Sequence, residues 1–337
     1  MIPTEPLGEA GPELTRLGLG TWAIGGPWKF GWGPVDDDDS VAAIRRAVEA
    51  GINWVDTAPI YGLGHSEEIV GRALTGFATG EEVFVCTKCG RHTKPDGSPY
   101  GDLRPDSIRR ECEQSLRRLG VERIDLYQIH WPDVDTEAPL EESWLTMAEL
   151  IGEGKVRWIG VSNFTVDLLE RCEPIHHVDS VQPPLSMVQR GALSDVIPWA
   201  VEHGTGAIVY SPMASGLLTG SFDRARLERL AEDDMRRNRP EYKEPALSQN
   251  LELVQRLRPI AHELDCEVSE VAIAWTLAQD GVTGAIVGAR RPDQLDQWIG
   301  AGSVELSDGQ LAEIDAAIAG TGAGTDELPT PPRPTRT

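Results

Sequence analysis

Val83-Phe-Val-Cys-Thr-Lys88 and Ile124-Asp-Leu-Tyr-Gln-Ile-His130 are two nearly continuous apolar runs, and the chain between them carries a helical stripe. The stripe is Ile108, Cys112, Leu116 and Leu119, three and four apart, on a segment that Pro105 opens as a good first-turn residue. A strand covered on both faces reads as an unbroken apolar run, because neither side meets water. Strand, helix, strand is therefore the repeating unit, and units of this kind build parallel sheets with helices outside.

The unit recurs in both directions. Strands are predicted at 16–20, 53–56, 83–88, 124–130, 156–162, 180–182, 207–211 and 285–288. Helical periods lie between several of them: Val41, Ile44 and Val48 before Gly51; Leu253, Leu257 and Ile260; and 268–277. Eight such units point to one (β/α)8 barrel, a TIM barrel in a single domain over residues 12–320. Three segments fall outside the rhythm. Residues 22–39, rich in Gly, Trp and Asp, read as a loop; 213–250 reads as a charged insertion after the seventh strand; 321–337, rich in Gly, Pro and Thr, reads as a mobile C-terminal tail.

The length of 337 residues suits such a barrel with insertions. The net charge of -23 repels phosphate backbones and anionic lipid, so nucleic-acid and membrane-surface partners are excluded. No apolar run is long enough to span a membrane, and residues 1–11, with Glu5 and Glu9, do not read as a signal peptide. Five scattered cysteines fit a reducing, cytoplasmic setting. Cys86 and Cys89 form a lone CxxC with no second pair, which reads as two small strand residues, and no metal site is expected. The acidic run 36–39 directly precedes a helix, where negative charge complements the helix N-terminus.

In a barrel of this kind chemistry sits at the C-terminal strand ends. Four consecutive ends carry Asp56 (with Tyr61 just beyond), Lys88, His130 and Ser162-Asn163. Neighbouring strands lie about 4.8 Å apart, so these side chains can meet at one rim. An ammonium beside a phenol stabilises the phenolate, so Lys88 is expected to lower the Tyr61 pKa and make it a usable general acid. A neutral His130 can then hydrogen-bond a carbonyl. Trp22, Trp28, Trp32 and Trp131 fall in rim loops and are candidate walls of an apolar substrate pocket. Gly18-Leu-Gly20-Thr-Trp-Ala23 fits a loose GxGxxG/A spacing, but Gly25-Gly26-Pro27 follows where a helix must begin. It reads as the first barrel strand and its loop.

The string Asp56-Thr-Ala-Pro-Ile-Tyr61-Gly62, with Lys88, His130 and Gly160-Val-Ser162-Asn163, resembles the aldo-keto reductase superfamily. The resemblance continues at Val181-Gln182-Pro-Pro184, at Tyr210-Ser211-Pro212-Met-Ala-Ser-Gly216-Leu-Leu218 and at Gly288-Ala-Arg290-Arg-Pro-Asp-Gln294-Leu295. It implies an oxidoreductase moving hydride between a nicotinamide and a carbonyl or alcohol carbon, a small-molecule aldehyde, ketone or sugar. It implies Tyr61 as proton donor, Lys88 and Asp56 as the pair that tunes it, and His130 as the group that orients the carbonyl. Ser162, Asn163 and Gln182 would bind the carboxamide, Tyr210 would stack on the nicotinamide, and Ser211, Pro212, Gly216 and Leu218 would run along the pyrophosphate. Gly288, Arg290 and Gln294 would hold the adenosine end, with Arg290 on a 2'-phosphate, which favours NADP(H) over NAD(H). Gln297-Trp298 departs from the acidic residue and Asn that the family often has there, so the adenine contact is open.

Two other readings stand beside this one. An NADPH-binding redox sensor that regulates a partner, as potassium-channel β-subunits resembling the family do, would keep the nucleotide site with little turnover. A metal-dependent barrel hydrolase would need paired strand-end histidines, and the sequence has no H-x-H. Substrate, direction of reaction and oligomeric state are not legible in the sequence.

Overall fold

A computed structural model describes residues 2–328 apart from 28–30, 32, 80, 81, 137 and 233. The chain opens with a hairpin, β1 (Thr4–Pro6) and β2 (Glu13–Thr15), then enters the barrel through β3 (Leu17–Gly20). There follow α1 (Asp37–Glu49), β4 (Trp54–Asp56), α2 (His65–Leu74) and β5 (Phe84–Cys89). A second hairpin, β6 (Arg91–Thr93) with β7 (Pro99–Gly101), precedes α3 (Pro105–Leu119), β8 (Ile124–Ile129), α4 (Leu140–Gly152) and β9 (Val156–Ser162). The rest runs α5 (Val166–Cys172), β10 (Ser180–Gln182), α6 (Val196–His203), β11 (Gly206–Tyr210), α7 (Arg224–Arg229), α8 (Ala246–Glu263), α9 (Val268–Leu277), β12 (Val282–Gly288), α10 (Pro292–Leu295) and α11 (Asp308–Thr321).

Eight of these strands, in the order β10-β11-β12-β3-β4-β5-β8-β9, close into a parallel barrel. Their register is staggered, so side chains from alternate positions stack in layers inside. Leu7, Leu14, Trp54, Cys86, Leu126, Ile208 and Ile286 form the lower layer, which the β1–β2 hairpin covers. The Trp54 indole fills the floor and donates to the Thr15 carbonyl at 2.7 Å. It lies against Gly18, where a Cβ would come within 2.2 Å of the ring. That close approach, rather than a phosphate loop, explains the glycine of the rejected fingerprint. Outside, the main core fills the space between barrel and helices, with Ile108, Cys112 and Leu119 of the predicted stripe all buried.

Asp36 caps α1, its side chain accepting from the Asp38 and Asp39 amides at 2.9 and 3.0 Å, so the acidic run is a helix start. All five cysteines are free, and Cys86 and Cys89 are buried in β5. The eighth barrel strand begins at Val282, earlier than the expected 285, because Val282 and Thr283 extend despite the glycine that follows. Between β11 and α8, residues 213–245 form short 3₁₀ turns and α7.

The tail expected to be mobile from residue 321 is instead docked as far as 327. Ala323 is buried, Thr325 bridges to Gln189, and Arg190 pairs with Asp326 at 2.8 Å. Backbone pairing and one ion pair replace the missing apolar period. Residues 329–337 lie outside the described residues.

Candidate active site

One cavity of about 680 Å³ opens at the C-terminal end of the barrel. Asp56, Tyr61, His130, Ser162, Asn163, Gln182, Tyr210, Ser211, Pro212, Gly216, Gly288, Arg290 and Gln294 line it. Lys88 sits directly behind, fully buried. Leu218 does not line the cavity: an apolar side chain in the turn after β11 turns into the core, where it is fully buried. Of the four candidate tryptophans, Trp22 and Trp131 line the cavity, and Trp28 and Trp32 lie outside the described residues.

The strand ends bring the reactive groups together. Lys88 Nζ donates to Asp56 Oδ1 at 2.5 Å and to the Thr57 carbonyl at 3.0 Å. Its ammonium stands 5.4 Å from the centre of the Tyr61 ring. The Tyr61 and His130 rings meet edge to face, 5.7 Å between centres. Tyr61 is placed by the turn that follows it: Gly62 has φ 63°, and a Cβ there would fall 1.9 Å from the Gly25 carbonyl. Only glycine allows both that backbone and that approach to the loop after β3.

Burial sets the electrostatics. It drives the Tyr61 phenol above its ordinary value; the Lys88 ammonium opposes this without overcoming it, and Asp56 adds to the rise. Lys88 pulls the phenol down, as expected, and burial is the larger influence, so the net direction is upward. Burial alone would lower Lys88, but Asp56 and Tyr61 outweigh it, and the net shift is upward. His130 is held well below the usual imidazole range, first by burial and then by Lys88 and Arg91, so it is neutral.

The groups expected at a carboxamide are already knitted together. Tyr210 donates its hydroxyl to Asn163 Oδ1 at 2.8 Å, and Asn163 Nδ2 donates to the His130 carbonyl at 3.0 Å and to Ser162 Oγ at 2.9 Å. Gln182 Nε2 donates to Asp56 Oδ2 at 2.9 Å, which ties this group to the Lys88–Asp56 pair. Gln182 Oε1 and the second lone pair of Asn163 Oδ1 still provide acceptors for a carboxamide NH₂. Asn163 holds this position with φ 62°, in the left-handed region.

At the far end the cavity turns basic. Arg226, Arg236, Arg239 and Arg290 line it, in a chain of net charge -23. Burial, then Arg291 and Arg236, lowers Arg290 from its ordinary value, as expected of a cation crowded by others. Gln294 accepts from the Arg290 amide at 2.8 Å and so fixes that backbone at the start of α10. Arg291 turns to Asp293 at the surface. Ser211, Ala214 and Ser215 have φ 61°, 47° and 55°, a strained run along the wall. It is held from the insertion: Tyr242 donates to the Ala214 and Ser215 carbonyls at 2.9 and 3.0 Å, and Arg239 to Ser215 Oγ at 3.0 Å. Tyr242→Phe is expected to release this wall and weaken nucleotide binding by about three- to tenfold, the worth of one or two buried hydrogen bonds, measured by fluorescence titration. Unchanged affinity would mean that the wall needs no such support.

Sequence reasoning missed Arg91, Lys94, Ser98, Asp135, Arg226, Arg236 and Arg239, all of which line the cavity. Pro95-Asp96-Gly97 is a turn signature that could have exposed the β6–β7 hairpin.

A closed parallel barrel whose rim joins Asp, Tyr, Lys and His, with a basic end to the same cavity, defines an oxidoreductase that acts on carbonyls. The chain belongs to the aldo/keto reductase family, whose model, described as "Aldo/keto reductase family", matches residues 16–319. Aldo-keto reductase YhdN of Bacillus subtilis is 36% identical over 291 residues, 86% of each chain. The NADH-specific methylglyoxal reductase of Escherichia coli is 34% identical over 315 residues, 90% of this chain and 94% of that one. A solved structure of the glycerol dehydrogenase of Gluconobacter oxydans superposes with TM-score 0.85 at 37% identity, covering 99% of this chain and 98% of that one. No helix among the described residues is long and apolar enough to cross a membrane.

Proposed function

We propose that the protein is an NADP(H)-dependent reductase of small aldehydes, ketones or sugars, with Tyr61 as general acid in reduction and general base in the reverse oxidation. The observation that carries this is the single cavity joining Tyr61 and His130 at one end to Arg290 at the other. A bound nicotinamide supplies the hydride. His130, neutral, hydrogen-bonds the carbonyl oxygen and orients it toward Tyr61. Tyr61 gives its hydroxyl proton to that oxygen as negative charge develops there. Lys88, charged and fixed by Asp56, stabilises the phenolate left behind. Gln182 couples the carboxamide-binding group to Asp56, so cofactor seating and the proton donor share one hydrogen-bonded network. The five free cysteines fit a reducing compartment, the cytoplasm.

Arg290 is the residue expected to read a 2'-phosphate, and the NADH-specific E. coli relative makes this the point to test. Titrated by tryptophan fluorescence, the protein is expected to bind NADPH at least tenfold more tightly than NADH, and Arg290→Ala to erase most of that difference. Equal affinities in the wild type would move the assignment to NAD(H). No binding of either nucleotide would remove the reductase reading altogether. Tight binding with negligible carbonyl turnover would favour the redox-sensing alternative.

A further inference from the structure

The substrate half of the cavity holds a cation that this mechanism does not use. Arg91 opens β6, two residues beyond β5, and lines the cavity with Tyr61, His130 and Trp131. It is 9% exposed. Among the described residues no hydrogen bond or ion pair reaches its guanidinium; the charges that act on it are Asp135 and Asp133, at longer range. Those two carboxylates are engaged elsewhere. Asp135 accepts from the Gly101 amide at 2.5 Å, and Asp133 from the Leu103, Asp135 and Thr136 amides at 3.1, 2.8 and 3.0 Å. They tie the loop after β8 to β7 and its neighbour, and they steady Arg91 without using its donors.

A guanidinium carries five N–H donors in one plane, and those of Arg91 that no protein group accepts are free to meet a ligand in the cavity it lines. A planar anion entering the cavity can take two of them at once. Arg91 also lies close enough to His130 to depress the imidazole. An anion on Arg91 would therefore share the cavity with a carbonyl held by His130. Lys94, exposed at the turn of the same hairpin, lines the cavity as a second cation. The chain as a whole is acidic and Asp135 lines the same cavity, so an anion must be drawn here by Arg91 and Lys94 against that field.

We propose that Arg91, assisted by Lys94, receives a carboxylate of the substrate, so that the site selects aldehydes or ketones bearing a carboxylate a few bonds from the reacting carbonyl. The proposal rests on the reductase reading for its kinetics, and its test separates the two. The probes are 4-oxobutanoate and its methyl ester, which share a carbon chain and differ in charge. The wild type is expected to favour the acid by about ten- to a hundredfold in kcat/KM, the strength of a charge-assisted bidentate pair. Arg91→Met should bring that ratio close to one, and Arg91→Lys should keep part of it. A residue that only supports the hairpin would change both substrates together and leave the ratio alone. No acid preference in the wild type, or an unchanged ratio in Arg91→Met, overturns the proposal.

A second measurement needs no turnover. Succinate is titrated against tryptophan fluorescence, since Trp131 shares the cavity with Arg91. Saturable binding in the wild type, weakened at least tenfold in Arg91→Met, supports the carboxylate site; no binding, or binding indifferent to Arg91, overturns it. NADPH titration of the same variant reports whether it is folded, and Arg91→Lys carries the comparison if it is not. Succinate held by Arg91 with no binding of either nucleotide would keep the anion site and remove the reductase reading. Reduction of the ester with no role for Arg91 in the acid would do the reverse.

Discussion

Phenylalanine in place of Tyr61 is expected to lower kcat for carbonyl reduction by about 10²–10⁴-fold, the usual worth of a positioned general acid, while nucleotide binding is retained. The variant removes one oxygen and keeps the ring that meets His130 at 5.7 Å. It also leaves the Gly62 turn and its approach to Gly25 untouched. The direction of the Tyr61 shift adds a pH signature. Burial holds the phenol above its ordinary value, so it is fully protonated at neutral pH. Reduction, which consumes that proton, should be level from roughly pH 6 to 9 and fall only beyond, as Tyr61 ionises. Oxidation, which needs the phenolate, should climb through the same range. His130, held neutral, should add no inflection near its usual value. A kcat within a factor of about ten of the wild type in Tyr61→Phe would move the proton donor elsewhere.

The two substitutions most worth making fall on residues that the sequence places well, and the reason is geometric. Asp56, Lys88 and His130 stand at or next to the ends of neighbouring strands, where barrel symmetry converts chain order into proximity. Buried parallel strands also declare themselves as apolar runs, so the closed sheet follows from the same reading. What the sequence hides is the balance of energies at one point and the shape of loops. Its pattern puts Lys88 beside Tyr61 but does not say that desolvation outweighs the ammonium. Leu218 shares a motif with Gly216, yet the turn sends one to the cavity and the other to the core. The docking of 321–327 rests on backbone pairing with Gln189 and Arg190, contacts that carry no periodic signature. Arg91, Arg236 and Arg239 come from a hairpin and an insertion whose paths depend on long-range contacts, and they form much of the charged lining.

The Lys88–Asp56 pair should show the largest effect on stability. Lys88→Met removes the ammonium from a fully buried site and leaves Asp56 with the Gln182 amide as its remaining side-chain donor among the described residues. An uncompensated buried carboxylate costs about 3–5 kcal/mol, which urea unfolding would read as a lower midpoint at similar slope. Asp56→Asn strands the opposite charge and should also destabilise. The double variant leaves neither charge and should recover a good part of the loss, because a buried pair replaced by neutral groups is often close to neutral overall. Single effects that simply add in the double variant would show that the two charges do not stabilise one another. The alkaline side gives an independent check. Lys88 is raised in the folded protein, so its contribution is whole below the ordinary lysine value of 10.5 and is lost as pH rises through the folded value. In Lys88→Met that part of the alkaline loss should vanish. Tyr61, freed of the opposing ammonium, should ionise at still higher pH, so any residual reduction would keep its proton donor further into the alkaline range even as its rate falls. The same side chain thus neutralises Asp56 at the barrel rim and limits how far burial can raise the phenol.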